Sequence, residues 1–282
     1  GLVITMSSQE KNIPNYLNVD LRIDERVNDL ITRLTLEEKI NQMKYNSPAI
    51  ERLGIKEYNW WNECLHGVAR AGVATVFPQA LSLAAAFDTD LMTKVAIAIS
   101  DEAKAKHNYF VSKNRRGIYQ GLTFWSPNIN IFRDPRWGRG HETYGEDPYL
   151  TGQLGLNFVK ALQGDDKKYL KLVATPKHFA VHSGPEKERH TFDARVSLRD
   201  LKDTYLPAFR TCVVEGKAYS VMCAYNRFFG EPCCGNNKLL SKILREEWGF
   251  EGYVVSDCGA VEDFYQNHKT SKTVEEAVSS AV

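Results

Sequence analysis

The sequence predicts an α/β fold of the TIM-type (β/α)8 barrel class, on three observations. Short apolar runs alternate with helical stretches of roughly 10 to 15 residues, which is typical of βα units and a parallel sheet. The length of 282 residues is close to the roughly 250 residues that such barrels occupy as one domain. No glycine-rich phosphate loop follows the first strand, which disfavours a doubly wound sheet.

The elements follow one another along the chain in a regular order. The first helix opens at the capping box Thr35-Leu-Glu-Glu38, with Leu36, Ile40 and Met43 on one face. Strands are then predicted at residues 58–61, 122–131, 172–175, 219–224 and 252–255. Helices are predicted at residues 91–105, 152–162, 198–214 and 238–248.

One unit accounts for most of the chain, because no repeat and no linker rich in Pro, Gly or Ser divides it. We assign residues 1–30 to an N-terminal extension and residues 31–282 to the barrel domain. Residues 273–282 have the pattern of a helix, and no strand follows them. We therefore expect a barrel that is incomplete at its C-terminal end.

Charge and hydropathy exclude several classes of partner. Lys and Arg number 36 and Asp and Glu 35, a net charge of +1, so nothing in the bulk charge favours nucleic acid or an anionic membrane. No apolar run reaches the roughly 18 residues of a membrane span. The opening GLVITMSS has neither a basic region nor a full apolar region, so no export signal is recognised. An uncharged or small ligand is expected.

Metal and disulfide chemistry have weak signals. The six cysteines show no CxxC spacing, and we interpret them mostly as free thiols, of which one pair could form a bridge. His66, His182 and His190 form neither an HExxH pattern nor a cluster with ligand spacing. The sequence therefore predicts no metal and no cofactor.

Polar residues follow four of the apolar runs, at the rim where barrel enzymes place their chemistry. They are Asn62-Glu63, Lys177-His178, Tyr225-Asn226 and Ser256-Asp257. Taken singly, an Asp at a strand end is more often a cap or a turn former than a catalyst. As a set, a carboxylate with Lys, His, Arg and a second acid is what cleavage of a glycosidic bond requires.

Two further stretches have a structural and a functional interpretation. The segment PNINIFRDPRWGRGHETYGEDPYL at residues 127–150 could hold a structural web of ion pairs, or its arginines could bind sugar hydroxyls. Trp60 and Trp61 could supply an apolar face for a pyranose ring, or could simply pack in the core.

Five motifs, in order, resemble glycoside hydrolase family 3 and cover nearly the whole chain from about Leu30. They are TVFPQALSLAAAFD (75–88), the segment 127–150, KHFAVHSGPEKERH (177–190), MCAYNRFFGEPCC (222–234) and LREEWGFEGYVVSDCGAV (244–261). The resemblance implies a (β/α)8 or variant barrel, usually followed by an α/β sandwich domain. It also implies hydrolysis with retention, in which Asp257 of the SD motif is the nucleophile and forms a covalent glycosyl-enzyme.

The resemblance also implies roles for other residues. Lys177 and His178 match a pair that hydrogen-bonds the sugar in subsite −1; Arg139 of WGR matches another subsite residue, and Tyr225 a tyrosine near the nucleophile. Arg189 and His190 are expected to add contacts. Glu63 stands where many β-glucosidases of the family have a shorter aspartate, and with the double tryptophan it is similar to the bacterial β-xylosidase branch.

The general acid is missing from this pattern. In most of the family a glutamate of the second domain protonates the leaving group, whereas one branch uses a histidine in a loop after KHF, where this chain has His182 and His190. We expect a β-1,4-xylosidase acting on xylo-oligosaccharides. A β-glucosidase, an α-L-arabinofuranosidase and a carbohydrate-binding remnant without its acid remain alternatives. A periplasmic or extracellular location and a homo-oligomer would fit this substrate class.

Overall fold

The computed structural model of the protein describes residues 13–282. The opening GLVITMSS, in which the sequence shows no export signal, lies outside the described residues. Contacts between Cα atoms divide the chain into two compact units, one ending at Tyr58 and one spanning Asn59–Val282. The boundary predicted between residues 30 and 31 stays a prediction. The helices of residues 13–282 are too short or too polar to cross a membrane.

The first unit is mainly helical. Helix α1 spans Ile23–Arg33, helix α2 spans Leu36–Gln42, and strand β1 is Asn46–Ser47. The predicted capping box is confirmed: the Thr35 hydroxyl accepts from the Glu38 backbone N–H, and the Glu38 carboxylate accepts from the Thr35 backbone N–H. Two backbone donors that the start of a helix leaves unpaired are thereby satisfied.

The second unit alternates strands with helices, which confirms the predicted α/β class. Its strands from β2 onward are Tyr58–Asn59 (beginning one residue before the unit), Thr123–Phe124, Val173–Ala174, Lys177–Phe179, Asp193–Ala194, Ser220–Cys223, Arg227–Phe228, Glu231–Pro232 and Tyr253–Ser256 as β10. Its helices from α3 onward are Ala80–Ala84, Thr89–Ser112, Pro148–Gln163, Leu198–Asp200, Pro207–Arg210, Ala260–Gln266 and Val274–Ala281 as α9.

The strands that position the site form a parallel three-stranded sheet in the order β10-β7-β5. Tyr253 pairs with Ser220 at one end of the β10-β7 ladder, and Ser256 pairs with Cys223 at the other. Strands β3 and β4 form a separate parallel pair, and β8 joins β6 in parallel and β9 antiparallel. All ends of β5, β7 and β10 from which the chain leaves therefore lie at one edge.

The predicted (β/α)8 barrel is not closed in the structure. Among residues 13–282, the parallel strands belong to separate small sheets, and β10 has β7 as its single sheet neighbour. The sequence indicated the βα units correctly, but alternation of elements does not determine how many strands join one sheet. The described part of the chain thus has the α/β class without a complete barrel.

Helix α5 brings the segment before the site into the core. Phe158 and Leu162 of this helix are fully buried, and α5 packs against α4. A Cβ on Gly155 would lie 2.9 Å from the Cys212 sulfur and 3.0 Å from the Ile129 side chain. Glycine therefore allows α5 to approach the extended segment at residues 126–130 closely.

The helix predicted at residues 198–214 is interrupted. α6 ends at Asp200, and the Leu206 N–H donates to the Leu201 carbonyl five residues back, at 2.9 Å. Pro207 follows, and because proline has no N–H, it cannot continue a regular ladder of i to i−4 bonds. A wider, i to i−5 turn accommodates it. The helix predicted at residues 238–248 has the same wider geometry over Lys238–Glu247.

One cysteine pair is oxidised. Cys223 at the end of β7 and Cys234 form a disulfide, whereas Cys64, Cys212, Cys233 and Cys258 are free. The expectation of mostly free thiols with one possible bridge is confirmed. The bridge closes the hairpin loop that contains Tyr225 and Asn226.

Candidate active site

Three parallel strands deliver the central residues of the site. Lys177 and His178 lie within β5, Tyr225 follows β7 by two residues, and Asp257 follows β10 directly. Because these strands are neighbours in one parallel sheet, their side chains meet at its carboxyl edge. The prediction that polar residues after apolar runs share one rim is confirmed for these four residues.

Asp257 is a buried carboxylate with one oxygen held and one left available. It is 5% exposed. Its Oδ1 accepts from the Cys258 backbone N–H at 2.8 Å, and the Tyr225 hydroxyl donates to the carboxylate. Its Oδ2 lies 3.3 Å from Nε2 of His178 but receives no hydrogen bond from any residue between 13 and 282. An acceptor atom without a donor is thus directed into the site.

The surroundings of Asp257 act on its charge in opposite directions. Burial raises the pKa of the carboxyl, and the positive charges of Lys177 and Arg139 partly oppose this effect. The net result is a pKa above the ordinary range for Asp. The two cations therefore favour the ionised form that a nucleophile needs, although burial disfavours it.

Lys177 connects Glu63 to the nucleophile region. Its side chain is buried, and burial lowers its pKa, with the charge of Arg139 acting in the same direction. Glu63, Asp257 and Glu142 oppose this shift and favour the ammonium form. The structure thus brings Lys177 within electrostatic reach of two acids predicted for the site and one that the sequence did not single out for it.

Arg139 is fixed by an acid three residues further along the chain. Its Nε and Nη2 donate to the two Glu142 carboxylate oxygens at 2.8 and 2.7 Å. Burial opposes the charge of Arg139, but Glu142 outweighs it and keeps the arginine pKa above its usual value. The remaining Nη1 donates to Nε2 of His178 at 3.0 Å. The fork geometry of guanidinium makes this arrangement specific to arginine.

Two neutral histidines lie side by side behind this arginine. The ring centroids of His178 and His182 are 5.0 Å apart. Burial lowers the pKa of His178 well below its ordinary value, and burial together with Arg139 lowers that of His182 to about 3. Neither imidazole therefore holds a second proton at neutral pH. His182 does not have the protonation state of a general acid.

Tyr225 gathers the remaining predicted contacts. The His190 ring lies 4.6 Å from the Tyr225 ring, and the Arg189 guanidinium lies 6.0 Å from it. Burial and the charge of Asp257 raise the pKa of Tyr225, so that its hydroxyl keeps its proton. His190 donates or accepts through Nδ1 at 2.7 Å from the buried Asp263 carboxylate. Arg189 and His190 thus reach the site through the tyrosine.

The two tryptophans pack against other aromatic rings. Trp60 lies edge-on to Tyr253 of β10 at 5.2 Å, and Trp61 lies 5.0 Å from Trp125. These contacts agree with the packing interpretation, and they leave the sugar-binding interpretation a prediction.

The sequence did not identify three residues that support the site. Asn130 hydrogen-bonds His178, Asn226 hydrogen-bonds His182, and Asp263 hydrogen-bonds His190. Asn226 directly follows Tyr225 and was noted as a rim residue, and Asn130 lies in the quoted NIN run. Asp263 lies in a helix that the sequence did not predict, so no strand-end signal indicated it.

A comparison with family models places residues 26–282 in the Glycosyl hydrolase family 3 N terminal domain. Among curated relatives, a xylan 1,4-beta-xylosidase of Xylanibacter ruminicola is 51% identical over 100% of this chain and 33% of its own length. A beta-xylosidase/alpha-L-arabinofuranosidase of Medicago sativa subsp. varia is 42% identical over 98% of this chain and 37% of its own. The chain thus spans about a third of the length of these relatives.

Solved structures agree with this likeness. A GH3 exo-beta-xylosidase in complex with a xylobiose aziridine activity-based probe has a TM-score of 0.88 and 33% identity, covering 96% of this chain and 36% of that one. A GH3 beta-glucosidase of Bifidobacterium adolescentis has a TM-score of 0.72 and 29% identity, covering 89% of this chain and 33% of that one.

Proposed function

The chain belongs to glycoside hydrolase family 3, and on this premise we propose that it forms the catalytic barrel domain of a retaining exo-β-glycosidase. The observation that supports this most is the state of Asp257: a buried carboxylate with one oxygen hydrogen-bonded, one oxygen without a donor, and two cations close by. In the proposed reaction the free oxygen attacks the anomeric carbon. Water then hydrolyses the glycosyl-Asp257 ester, so that two inversions give retention.

The other site residues would hold the sugar of subsite −1. Lys177 and Arg139 supply charged donors that also stabilise ionised Asp257. Tyr225 donates to the nucleophile and sets its direction. Glu63, His178, Arg189, His190, Trp60 and Trp61 are proposed as further substrate contacts on the basis of the family motifs.

We propose β-1,4-linked xylo-oligosaccharides as the substrate. A glutamate at position 63 reaches one methylene further than an aspartate and would occupy the space of a hexose hydroxymethyl group, so a pentose fits better. The names of the relatives support this choice, since xylosidases are among those with the highest identity. The name of the Medicago relative also supports α-L-arabinofuranosidase activity as a second candidate.

The general acid is proposed to come from a part of the complete protein beyond this domain. A retaining glycosidase needs an acid about 5–5.5 Å from its nucleophile. His182 has a pKa of about 3 and cannot supply a proton at neutral pH. Since the relatives are about three times as long as this chain, a further domain, such as the family's α/β sandwich, has room to provide the acid.

Asp257→Ala in the complete protein tests this proposal. We expect hydrolysis of an aryl β-xyloside to fall on the order of 10⁴-fold or more, the scale for removal of a catalytic nucleophile. Azide should restore release of the aryl alcohol, because azide attacks the anomeric carbon in place of the carboxylate and yields an α-xylosyl azide. Asp134→Ala, at an exposed aspartate, is the control and should keep full activity.

Full activity in Asp257→Ala would contradict the nucleophile assignment. A β-configured azide product would contradict the direct displacement. Side-by-side rates on aryl β-xyloside, β-glucoside and α-L-arabinofuranoside by the unmodified protein decide among the candidate sugars.

A further inference from the structure

Asn130 makes three hydrogen bonds to a single residue of the site. Its Oδ1 accepts from the His178 backbone N–H at 2.8 Å, and its Nδ2 donates to the His178 backbone carbonyl at 2.9 Å. Its Oδ1 also lies 2.9 Å from Nδ1 of the His178 ring. Both residues are fully buried, so no water competes for these bonds.

The two backbone contacts fix which end of the Asn130 amide is oxygen. A backbone N–H can only donate and a backbone carbonyl can only accept. The atom facing the His178 N–H is therefore Oδ1, and the atom facing the His178 carbonyl is Nδ2. Since Oδ1 can only accept, Nδ1 of the His178 ring must have the proton.

Arg139 gives the same answer independently from the other side of the ring. Its Nη1 lies 3.0 Å from Nε2 of His178, and a guanidinium can only donate. Nε2 must then present a lone pair. Both contacts thus require the neutral tautomer with its proton on Nδ1.

We propose that Asn130 is a positioning residue, which locks His178 as a neutral Nδ1–H imidazole so that Nε2 serves Arg139 as an acceptor and gives no proton to Asp257. Nε2 is 3.3 Å from Oδ2 of Asp257. In the other tautomer, or with a doubly protonated ring, an N–H would point at this oxygen and hold it. The lock leaves Oδ2 without a donor, which is the state that the proposed nucleophile requires; this significance rests on the proposed function.

The chain holds Asn130 rigidly in place for this task. The Ile129 N–H donates to the Lys177 carbonyl at 2.9 Å, and the Lys177 N–H donates to the Pro127 carbonyl at 3.0 Å. Residues 127–129 therefore pair with the start of β5. The Asn130 N–H is itself capped by Oδ1 of Asn128 at 3.1 Å.

The charges around His178 favour the neutral ring. Its pKa lies well below the ordinary value, first because of burial and then because of nearby positive groups. The titratable and charged groups that face it are Lys177 and His182 of its own segment, Arg139, Arg189 and, with the opposite sign, Asp257. A second proton on the ring would lie among these cations.

Nitrogen-15 NMR of the histidine rings in the 282-residue chain tests the inference without any hydrolysis. We expect Nδ1 of His178 to show a bound proton, Nε2 to show none, and neither to titrate between about pH 5 and 8. The spectrum of His178→Gln identifies the resonances by their loss. An Nε2–H tautomer, or titration within this range, in the unmodified chain overturns the proposal.

Asn130→Asp keeps the shape and the acceptor but adds a negative charge beside Nδ1. We expect it to bring protonation of His178 into the range of about pH 5 to 8. Asn157→Asp, a helix asparagine bonded to Thr93 and the Gln153 carbonyl, is the matched control and should leave His178 unchanged. An unaltered His178 spectrum in folded Asn130→Asp would overturn the proposal, and since no substrate is involved, failure of the proposed hydrolysis would not affect this result.

Discussion

Asp257 is a residue whose place in the fold costs stability. Its pKa is raised above the ordinary range mainly because the carboxylate is buried, in spite of Lys177 and Arg139. A group with a raised pKa in the folded state binds its proton more tightly than in the unfolded chain. Its contribution to stability is therefore present at low pH and is lost as the pH rises through the folded-state pKa.

Asp257→Asn should consequently stabilise the chain against unfolding at pH 7. The amide is neutral and nearly the same shape, so it removes the penalty for burying an ionised carboxylate. Urea denaturation should give a higher free energy of unfolding for the variant at pH 7. The difference should disappear below the ordinary Asp range of about pH 3.9, where the native carboxyl is also neutral.

Asp134→Asn is the matched control, because its environment has the opposite effect. Arg136 lowers the pKa of this exposed Asp to about 2, so neutralising it offers no gain at pH 7. If Asp257→Asn were less stable than the native chain at pH 7, the two cations would outweigh burial. The assigned direction of the Asp257 pKa would then be wrong.

At this scale the sequence identified the residues that lie at strand ends and missed those that hold them. Lys177, His178, Tyr225 and Asp257 follow or close apolar runs, and such a position is visible in sequence. Asn130 is recognisable only from its bonds to His178, 48 residues further along the chain. A contact of this range depends on strand pairing, which the local pattern does not encode.

The elements were predicted better in kind than in length. The run 122–131 contains only the short β3, because beyond it the chain pairs with residues 175–177 through single hydrogen bonds around Pro127. Proline cannot donate to a ladder, so a regular strand ends there. Pro207 similarly divides the helix predicted at residues 198–214. In both cases the apolar periodicity was correct and an imino acid limited the regular hydrogen bonding.

The Cys223–Cys234 bridge should stabilise the element that presents Tyr225. It joins residues 11 apart in sequence, and closing a loop of this size restricts the unfolded chain by roughly 2–3 kcal/mol. We expect Cys223→Ala/Cys234→Ala to lower the free energy of unfolding by about this amount in urea denaturation.

Cys258→Ser, which changes an exposed free thiol, is the control for the bridge and should alter stability by less than about 0.5 kcal/mol. Equal stability of the double variant and the native chain would show that the bridge does not restrain the unfolded state. A loss as small as that of the control would lead to the same conclusion.

At the scale of the whole molecule, the sequence predicted a barrel and the described residues form its βα units in several sheets. Alternating strands and helices imply parallel pairing, and the β10-β7-β5 sheet confirms it. Closure depends on which strands become neighbours, and long-range pairing of this kind has no local signature. The site nevertheless assembles, because Lys177, Tyr225 and Asp257 need only three adjacent strands.

The division of labour between this domain and the rest of the complete protein leads to a prediction about leaving groups. The nucleophile and its cations lie within residues 139–257, whereas no residue described between 13 and 282 has been assigned as the general acid. A leaving group that departs as a stable anion needs little protonation. The 282-residue chain should therefore cleave a dinitrophenyl β-xyloside measurably and an alkyl β-xyloside far more slowly, while the complete protein cleaves both.

The ratio of the two rates is the measurement, taken for the 282-residue chain and the complete protein under the same conditions. Asp257→Ala in the short chain should abolish cleavage of the dinitrophenyl substrate, which separates enzymatic turnover from spontaneous hydrolysis. An equal ratio in both proteins would mean that the acid lies within residues 1–282, and His190, whose ring contacts Tyr225 and whose Nδ1 meets Asp263, would be the first residue to replace. No cleavage of either substrate by the short chain would instead support a carbohydrate-binding role for the isolated domain.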